Sequence, residues 1–218
     1  MRISRQGQEL FSEAVPWLKG AEPRTSTKTL IVRDLDGDGE PEVMLTVNWS
    51  GTQCCSWSRI YRYDRARNTY VAYQHFWGYF GSEGVVRDLD GDGRPELRGE
   101  DDRFFERFAH QGWRPIQIWS YGHGKLHDVT SRFPRLVRAD AAKLWASYLK
   151  DRKLGARWIL PAWMADQYRL GHVASADRVL EQAAARGELA HSYGYKPKHS
   201  KAFVRAVKAF LRQAGFSG

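Results

Sequence analysis

Asp34-Leu35-Asp36-Gly37-Asp38-Gly39-Glu40-Pro41-Glu42 is written a second time, 54 residues on, as Asp88-Leu89-Asp90-Gly91-Asp92-Gly93-Arg94-Pro95-Glu96. Val-Arg precedes each copy (Val32-Arg33, Val86-Arg87), and an apolar residue follows, Val43 or Leu97. Carboxylates at loop positions 1, 3, 5 and 9 crowd four negative charges into one small volume. Bare, such a cluster repels itself, and a hard cation that takes about six to eight oxygen ligands removes the repulsion. Glycines at positions 4 and 6 permit the φ > 0 turns that aim the carboxylates inward. A plain acidic turn has no need of Asp at positions 1, 3 and 5 together. The pattern points to calcium and says little about chemistry.

Spacing and flanks decide which calcium loop this is. An EF-hand places a bidentate Glu at position 12, between two helices. Here position 12 is Leu45 in one copy and Gly99 in the other, and the flanks are strand-like: Thr29-Leu30-Ile31-Val32 before, Val43-Met44-Leu45-Thr46-Val47 after. These residues resemble the FG-GAP or VCBS repeat, the strand–loop–strand unit of integrin-type β-propellers, whose loop reads Asp-x-Asp-Gly-Asp-Gly-x-x-Asp/Glu. That resemblance covers roughly residues 28–130. It implies two Ca2+ sites: side chains of Asp34, Asp36, Asp38 and Glu42 with the Glu40 carbonyl, and those of Asp88, Asp90, Asp92 and Glu96 with the Arg94 carbonyl. Glu instead of the commoner Asp at the last position lengthens the ligand's reach.

A chain of 218 residues with 42% apolar and 13% aromatic residues, nine Trp among them, has the makings of a packed core and is not disordered. No apolar run reaches the length of a membrane span. Met1 to Gly7 lacks the apolar segment of a signal peptide. Weak calcium modules work where calcium is about millimolar, outside the cytosol. The loops outweigh the missing leader, so the expected location is extracytoplasmic, secreted or on the cell surface. The two cysteines are adjacent, Cys54-Cys55: either one thiol is buried and one exposed, or the pair closes a vicinal disulfide.

Charge divides the chain. Residues 1–133 carry 18 Lys/Arg against 19 Asp/Glu, a net −1, and residues 134–218 carry 16 against 6, a net +10. The basic half is either a solvated helical face or a surface for an anionic partner such as nucleic acid, an anionic glycan or a phospholipid surface. No zinc-finger spacing, RNP-like signature or helix-turn-helix supports nucleic acid.

The expected fold is multi-domain α+β: an antiparallel β-repeat domain of two propeller-blade-like, four-stranded units with calcium loops, then an α-helical C-terminal domain. Residues 1–27 form an N-terminal segment in which Glu9 to Val15 is amphipathic, a short helix or a leader remnant. Residues 28–132 hold the two units, about 28–83 and 84–132. In the first, Ser58–Tyr63 and Thr69–Tyr73 alternate as strands around the turn Asp64–Asn68; in the second, Pro115–Tyr121 and Lys125–Val129 flank Gly122-His123-Gly124. Two blades cannot close a propeller ring, which takes about four to eight. Face-to-face packing of the two sheets is favoured over hidden degenerate blades or pairing between chains.

Beyond Phe133 the apolar period changes from two to 3.6, giving a basic helical domain over 133–218. Val137, Ala141, Leu144, Trp145 and Tyr148 form one stripe; a second helix from Ile159 closes at Gly171; Ser175 is expected to cap a third that stops at Gly187; and Phe203, Val207, Phe210 and Leu211 mark the last. Trp145, Trp158 and Trp163 read as packing residues.

No nucleophile elbow, phosphate loop or zinc-protease motif occurs. Glu100-Asp101-Asp102 is the one acidic group outside the loops that could serve a carbohydrate-active hydrolase as an acid/base pair. The favoured reading is a non-catalytic recognition or adhesion module with structural calcium. Its partner would be a glycan or cell-surface protein, with exposed rings among Trp49, Trp57, Trp77 and Trp113 as stacking surfaces.

Overall fold

The structure, a computed structural model, describes residues 1–14, 26–49, 56–78, 84–108, 113–191 and 199–216. Among these residues the chain is mixed α+β, with three antiparallel sheets, none closed into a barrel, and five α-helices. It divides into two compact units: Met1–Gly99 with Ile118–Asp128, and Glu100–Gln117 with Val129–Gly218. No described helix is long and apolar enough to cross a membrane.

The β unit starts with a hairpin, β1 (Arg2–Arg5) and β2 (Gln8–Ser12). The expected N-terminal helix is therefore a strand pair. Its turn residues Gln6 and Gly7 both take positive φ, 50° and 81°, the geometry that matches the twist of two paired strands. Ile3 and Phe11 then reach an apolar face, which a short isolated helix would not hold as well.

Four strands follow as a meander, β3 (Ser26–Arg33), β4 (Glu42–Trp49), β5 (Ser56–Asp64) and β6 (Thr69–Gly78). A second meander contains β7 (Val85–Arg87), β8 (Glu96–Glu100), β9 (Ile116–Gly122) and β10 (Lys125–Asp128). Each acidic loop joins the first two strands of its sheet. Val32 pairs with Val43 and Arg33 with Glu42; Val86 pairs with Leu97 and Arg87 with Glu96, the same register 54 residues on. A one-residue slip would exchange the two faces, moving Val43 and Met44 to each other's partners.

The two four-stranded sheets pack on one another, and they do so front to back. Val43 lies in the cluster shared with the β1–β2 hairpin, whereas its counterpart Leu97 lies in the cluster between the two sheets. Met44 lies between the sheets with Ile60 and Tyr73, whereas its counterpart Arg98 is exposed. Equivalent faces thus point the same way along a stack of hairpin, first sheet and second sheet. A face-to-face pair would have put Val43 opposite Leu97. On the far face of the second sheet Arg98 is exposed while Ile116 and Ile118 are buried.

In the helical unit α1 (Arg103–Phe108) is followed by a 3-10 turn (Thr130–Arg132), α2 (Pro134–Lys150), α3 (Arg152–Arg169), α4 (Val173–Ala185) and α5 (Ser200–Gln213). The apolar stripes read from sequence are its core: Val137, Ala141, Leu144 and Tyr148 on α2, and Phe203, Val207 and Leu211 on α5, are buried. Small residues, Gly155, Ala156, Ala162 and Ala165, let α3 be buried nearly all round. Gly171 ends α3 at φ 79°, with His172 N–H donating to Gln167 O and Gly171 N–H to Tyr168 O, a Schellman closure. Ser175 lies inside α4 and donates to His172 O, so the expected cap falls instead on His172, which makes no side-chain capping bond. Phe104 and Phe108 join this core, so Glu100–Gln117 clusters with the helices although the repeat pattern runs through it.

Candidate metal centres

Both loops are wound by their own aspartates. Asp34 Oδ1 accepts from Gly37 N–H at 2.7 Å and Oδ2 from Gly39 N–H at 2.9 Å; Asp38 Oδ1 accepts from Glu40 N–H at 2.8 Å. In the second loop Asp88 accepts from Gly91 and Gly93 at 2.7 and 3.0 Å, and Asp92 from Arg94 at 2.8 Å. Short carboxylates bonding to backbone a few residues ahead are what makes Asp a turn residue. Gly37 and Gly91, at φ 78° and 83°, occupy the left-handed region that the winding demands.

The winding draws three carboxylates together in each copy. Oxygens of Asp34, Asp36 and Glu42 lie within 4.8 Å of one another, and so do those of Asp88, Asp90 and Glu96. The last member comes from the start of a strand, β4 or β8, and folds back onto the loop. Glu42 Oε2 accepts from Leu35 N–H at 2.9 Å, and Glu96 Oε2 from Leu89 N–H at 2.9 Å. Glu42 is fully buried, and its Oε1 has no hydrogen-bond partner. Burial, followed by the charges of Asp36, Asp38 and Asp34, pushes its carboxyl up to about 7. Glu96, also buried, is raised for the same reasons, burial first and then Asp90 and Asp92. Asp88 moves the other way, held below the ordinary range chiefly by the Gly91 N–H.

A buried carboxylate with one unsatisfied oxygen beside two further carboxylates is unfavourable by itself. A divalent cation among those oxygens would satisfy the lone pairs and neutralise the charge. The donor set is all oxygen, which suits a hard cation and not a thiophilic or imidazole-preferring metal. The residues present therefore fit such an ion in both loops.

Of the ten residues singled out in sequence, the structure brings Asp34, Asp36 and Glu42 together, and Asp88, Asp90 and Glu96. Asp38 and Asp92 lie outside these triads and close the turns. Glu40 and Arg94, expected to contribute carbonyls, differ in what their side chains do. The Glu40 carboxylate is buried and bound to Arg5 through both of its oxygens, Oε2 at 3.0 Å from Nη2, and that pairing holds it below the usual carboxylate range. Arg94 is exposed and lies over the first loop: a Cβ on Gly37 would stand 2.6 Å from its Nε.

The other candidates are engaged elsewhere. Arg114 binds Glu100 at 2.7 Å and Asp102 at 2.9 Å, while Arg103 binds Asp101 at 2.6 Å, so each acid of that group faces a guanidinium. Trp57 and Trp77 are buried and unavailable as stacking surfaces, because the inward positions of their strands take the largest rings; Trp113 packs against the helical core. Cys54 and Cys55 lie outside the described residues, as does the side chain of Trp49.

Sequence reasoning missed Asp166. It is fully buried on α3, neither oxygen finds an ordinary hydrogen-bond donor, and burial together with the nearby Asp140 carboxylate pushes it up to about 9. Arg169 Nη1 stands 3.8 Å from Asp166 Oδ1, and Asp140 Oδ2 accepts from Ile116 N–H at 3.1 Å. The available signal was its position, three residues after Trp163 on the buried side of the helix. No family model, curated protein or solved structure matches this chain.

Proposed function

We propose that the protein is a non-catalytic β-repeat module, clamped by two calcium ions, that serves recognition or adhesion outside the cytoplasm. The observation that carries the reading is the buried Glu42 carboxylate, with its unpartnered Oε1 gathered against Asp34 and Asp36, and the same gathering of Glu96 with Asp88 and Asp90. Asp34, Asp36, Asp38, Glu42 and the Glu40 carbonyl would hold one ion; Asp88, Asp90, Asp92, Glu96 and the Arg94 carbonyl would hold the other. A bound ion supplies charge neutralisation and a cross-link between loop and strand. The chain's own part is to wind the loop by Asp34 and Asp88 and to bury the last ligand at the strand start. Front-to-back stacking of two meanders with matching registers supports the blade-like reading drawn from the FG-GAP and VCBS resemblance. Engagement of Glu100, Asp101 and Asp102 by arginines favours binding over hydrolysis as the role.

Calorimetric titration of chelator-treated protein with calcium tests the metal. Two ions per chain are expected, and one each in Asp36→Ala and Asp90→Ala; heat that is absent in the parent protein would sink the assignment. A glycan array run with calcium and with chelator then tests the partner class, calcium-dependent retention being the expected result.

A further inference from the structure

The helical unit exposes large apolar side chains at one place only among its described residues. Leu149, 44% exposed, and Leu154, 45% exposed, are the unit's two conspicuous outliers; the remaining exposed large apolar residues belong to the β unit. Both stand at the corner where α2 ends at Lys150 and α3 begins at Arg152. The corner reads Leu149-Lys150-Asp151-Arg152-Lys153-Leu154, three cations and one anion framed by two leucines, and all six residues are exposed. Asp151 is turned toward its own chain, with Oδ2 3.0 Å from the Cβ position of Gly155. Arg152 lies over the Tyr148 ring at 5.7 Å, which holds its guanidinium at the corner. With His191, these residues line an open concavity of about 490 Å³.

Water is a poor neighbour for the two leucines. A nucleic acid would satisfy the cations and leave the leucines wet, and a protein groove would need acidic walls and an apolar floor together. A bilayer with anionic headgroups satisfies both: lysine and arginine meet phosphates at the interface while adjacent leucines enter the acyl boundary. The excess of 16 Lys/Arg over 6 Asp/Glu in residues 134–218 draws the same surface in from a distance. We infer that the α2–α3 corner docks the protein on an anionic phospholipid surface, with Leu149 and Leu154 inserted and Lys150, Arg152 and Lys153 against the headgroups. The inference stands apart from the metal reading, since none of these residues belongs to either loop.

Co-sedimentation with extruded vesicles tests it, using phosphatidylcholine alone and phosphatidylcholine mixed with phosphatidylglycerol, each with calcium and with chelator. The full chain is expected to partition at least about tenfold more strongly to the anionic vesicles, and in both calcium conditions. The exposed-site variants L149S/L154S and K150E/K153E, checked for unchanged far-ultraviolet circular dichroism, should each lose about tenfold. Salt should weaken the binding of the parent protein and of L149S/L154S alike. No preference for anionic vesicles overturns the inference. So does binding that L149S/L154S leaves intact, which would point to a general polyanion surface, or binding that appears only with calcium, which would place the contact at the loops.

Discussion

The two acidic loops share their winding bond for bond and differ in the side chains that surround it. Asp34 and Asp88 accept from equivalent glycines at distances equal to within 0.1 Å. Around the first loop, Leu35 is buried between the sheets and position seven is a glutamate tied to Arg5; around the second, Leu89 is half-buried and position seven is an exposed arginine. A nine-residue sequence is enough to set a loop's internal geometry, because its hydrogen bonds are local. The last carboxylate, Glu42 or Glu96, is buried in both copies and raised by that burial; what the sheet sets is the company kept by Leu35 and Leu89.

The largest effect should come from the stack that gives the two loops their different surroundings. Leu97, fully buried between the sheets, is expected to lose about 2–5 kcal/mol as Leu97→Ala, by urea denaturation. Its exposed neighbour changed as Arg98→Ala should shift stability by no more than about 0.5 kcal/mol. Equal effects at the two positions would break the front-to-back order. Next comes metal removal. At calcium about 100-fold above its dissociation constant, each site contributes about 2.7 kcal/mol, so a chelator should lower the unfolding temperature and Asp36→Ala or Asp90→Ala should each remove part of that drop. A melting curve that ignores calcium would leave the loops as ordinary turns.

pH tests what burial does to the last carboxylate. Burial raises the metal-free Glu42 carboxyl from 4.5 to about 7, so the folded state holds its proton where the unfolded chain has lost it. This group's contribution to stability is thus full below about 4.5 and is lost as pH rises through about 7. A cation requires the ionised form, so calcium affinity of the first loop should fall about tenfold per unit as pH drops below about 7. The stability of chelated and calcium-loaded protein should therefore diverge as pH is raised from 5 to 8, as read by paired thermal melts. Flat affinity over that window would contradict the burial of Glu42. The smallest effect is local. Gly37→Ala and Gly91→Ala should each cost about 1 kcal/mol for the left-handed backbone. Gly37→Ala should cost more, because only there does a new methyl meet a neighbour, Arg94. Arg94→Ala in the Gly37→Ala background should restore equality; if it does not, the contact between the loops carries no strain.

Much of this was legible in advance where the signal is local. The strand cores Ser58–Tyr63 and Thr69–Tyr73, which the structure extends to Ser56–Asp64 and Thr69–Gly78, the loops, the stripe on α5 and the Gly171 stop all follow from alternation, 3.6-residue spacing or a single glycine. The N-terminal segment misled because Glu9 to Val15 is amphipathic at either period, and the turn at Gln6-Gly7 was the discriminating signal. Asp166 was hidden for a different reason: an acid in an apolar stripe looks like an exposed helix residue until the helix is seen buried on almost every side. Trp57 and Trp77 looked like ligand platforms for want of any local sign that distinguishes a buried ring from an exposed one.

The sequence by itself determined the acidic loops, their strand flanks and the change to helices near Phe133, because these depend on neighbours a few residues apart. Only the tertiary structure decided that Val43 and Leu97, identical in place within their repeats, pack against different partners, and that Met44 is covered while Arg98 is exposed. Burial is a property of what lies on the far side of a sheet, and a strand's own residues cannot encode which of two equivalent faces another sheet will cover. The same reason makes Glu42 a fully buried carboxylate with an unsatisfied oxygen, where the loop motif alone shows only a glutamate at its ninth position.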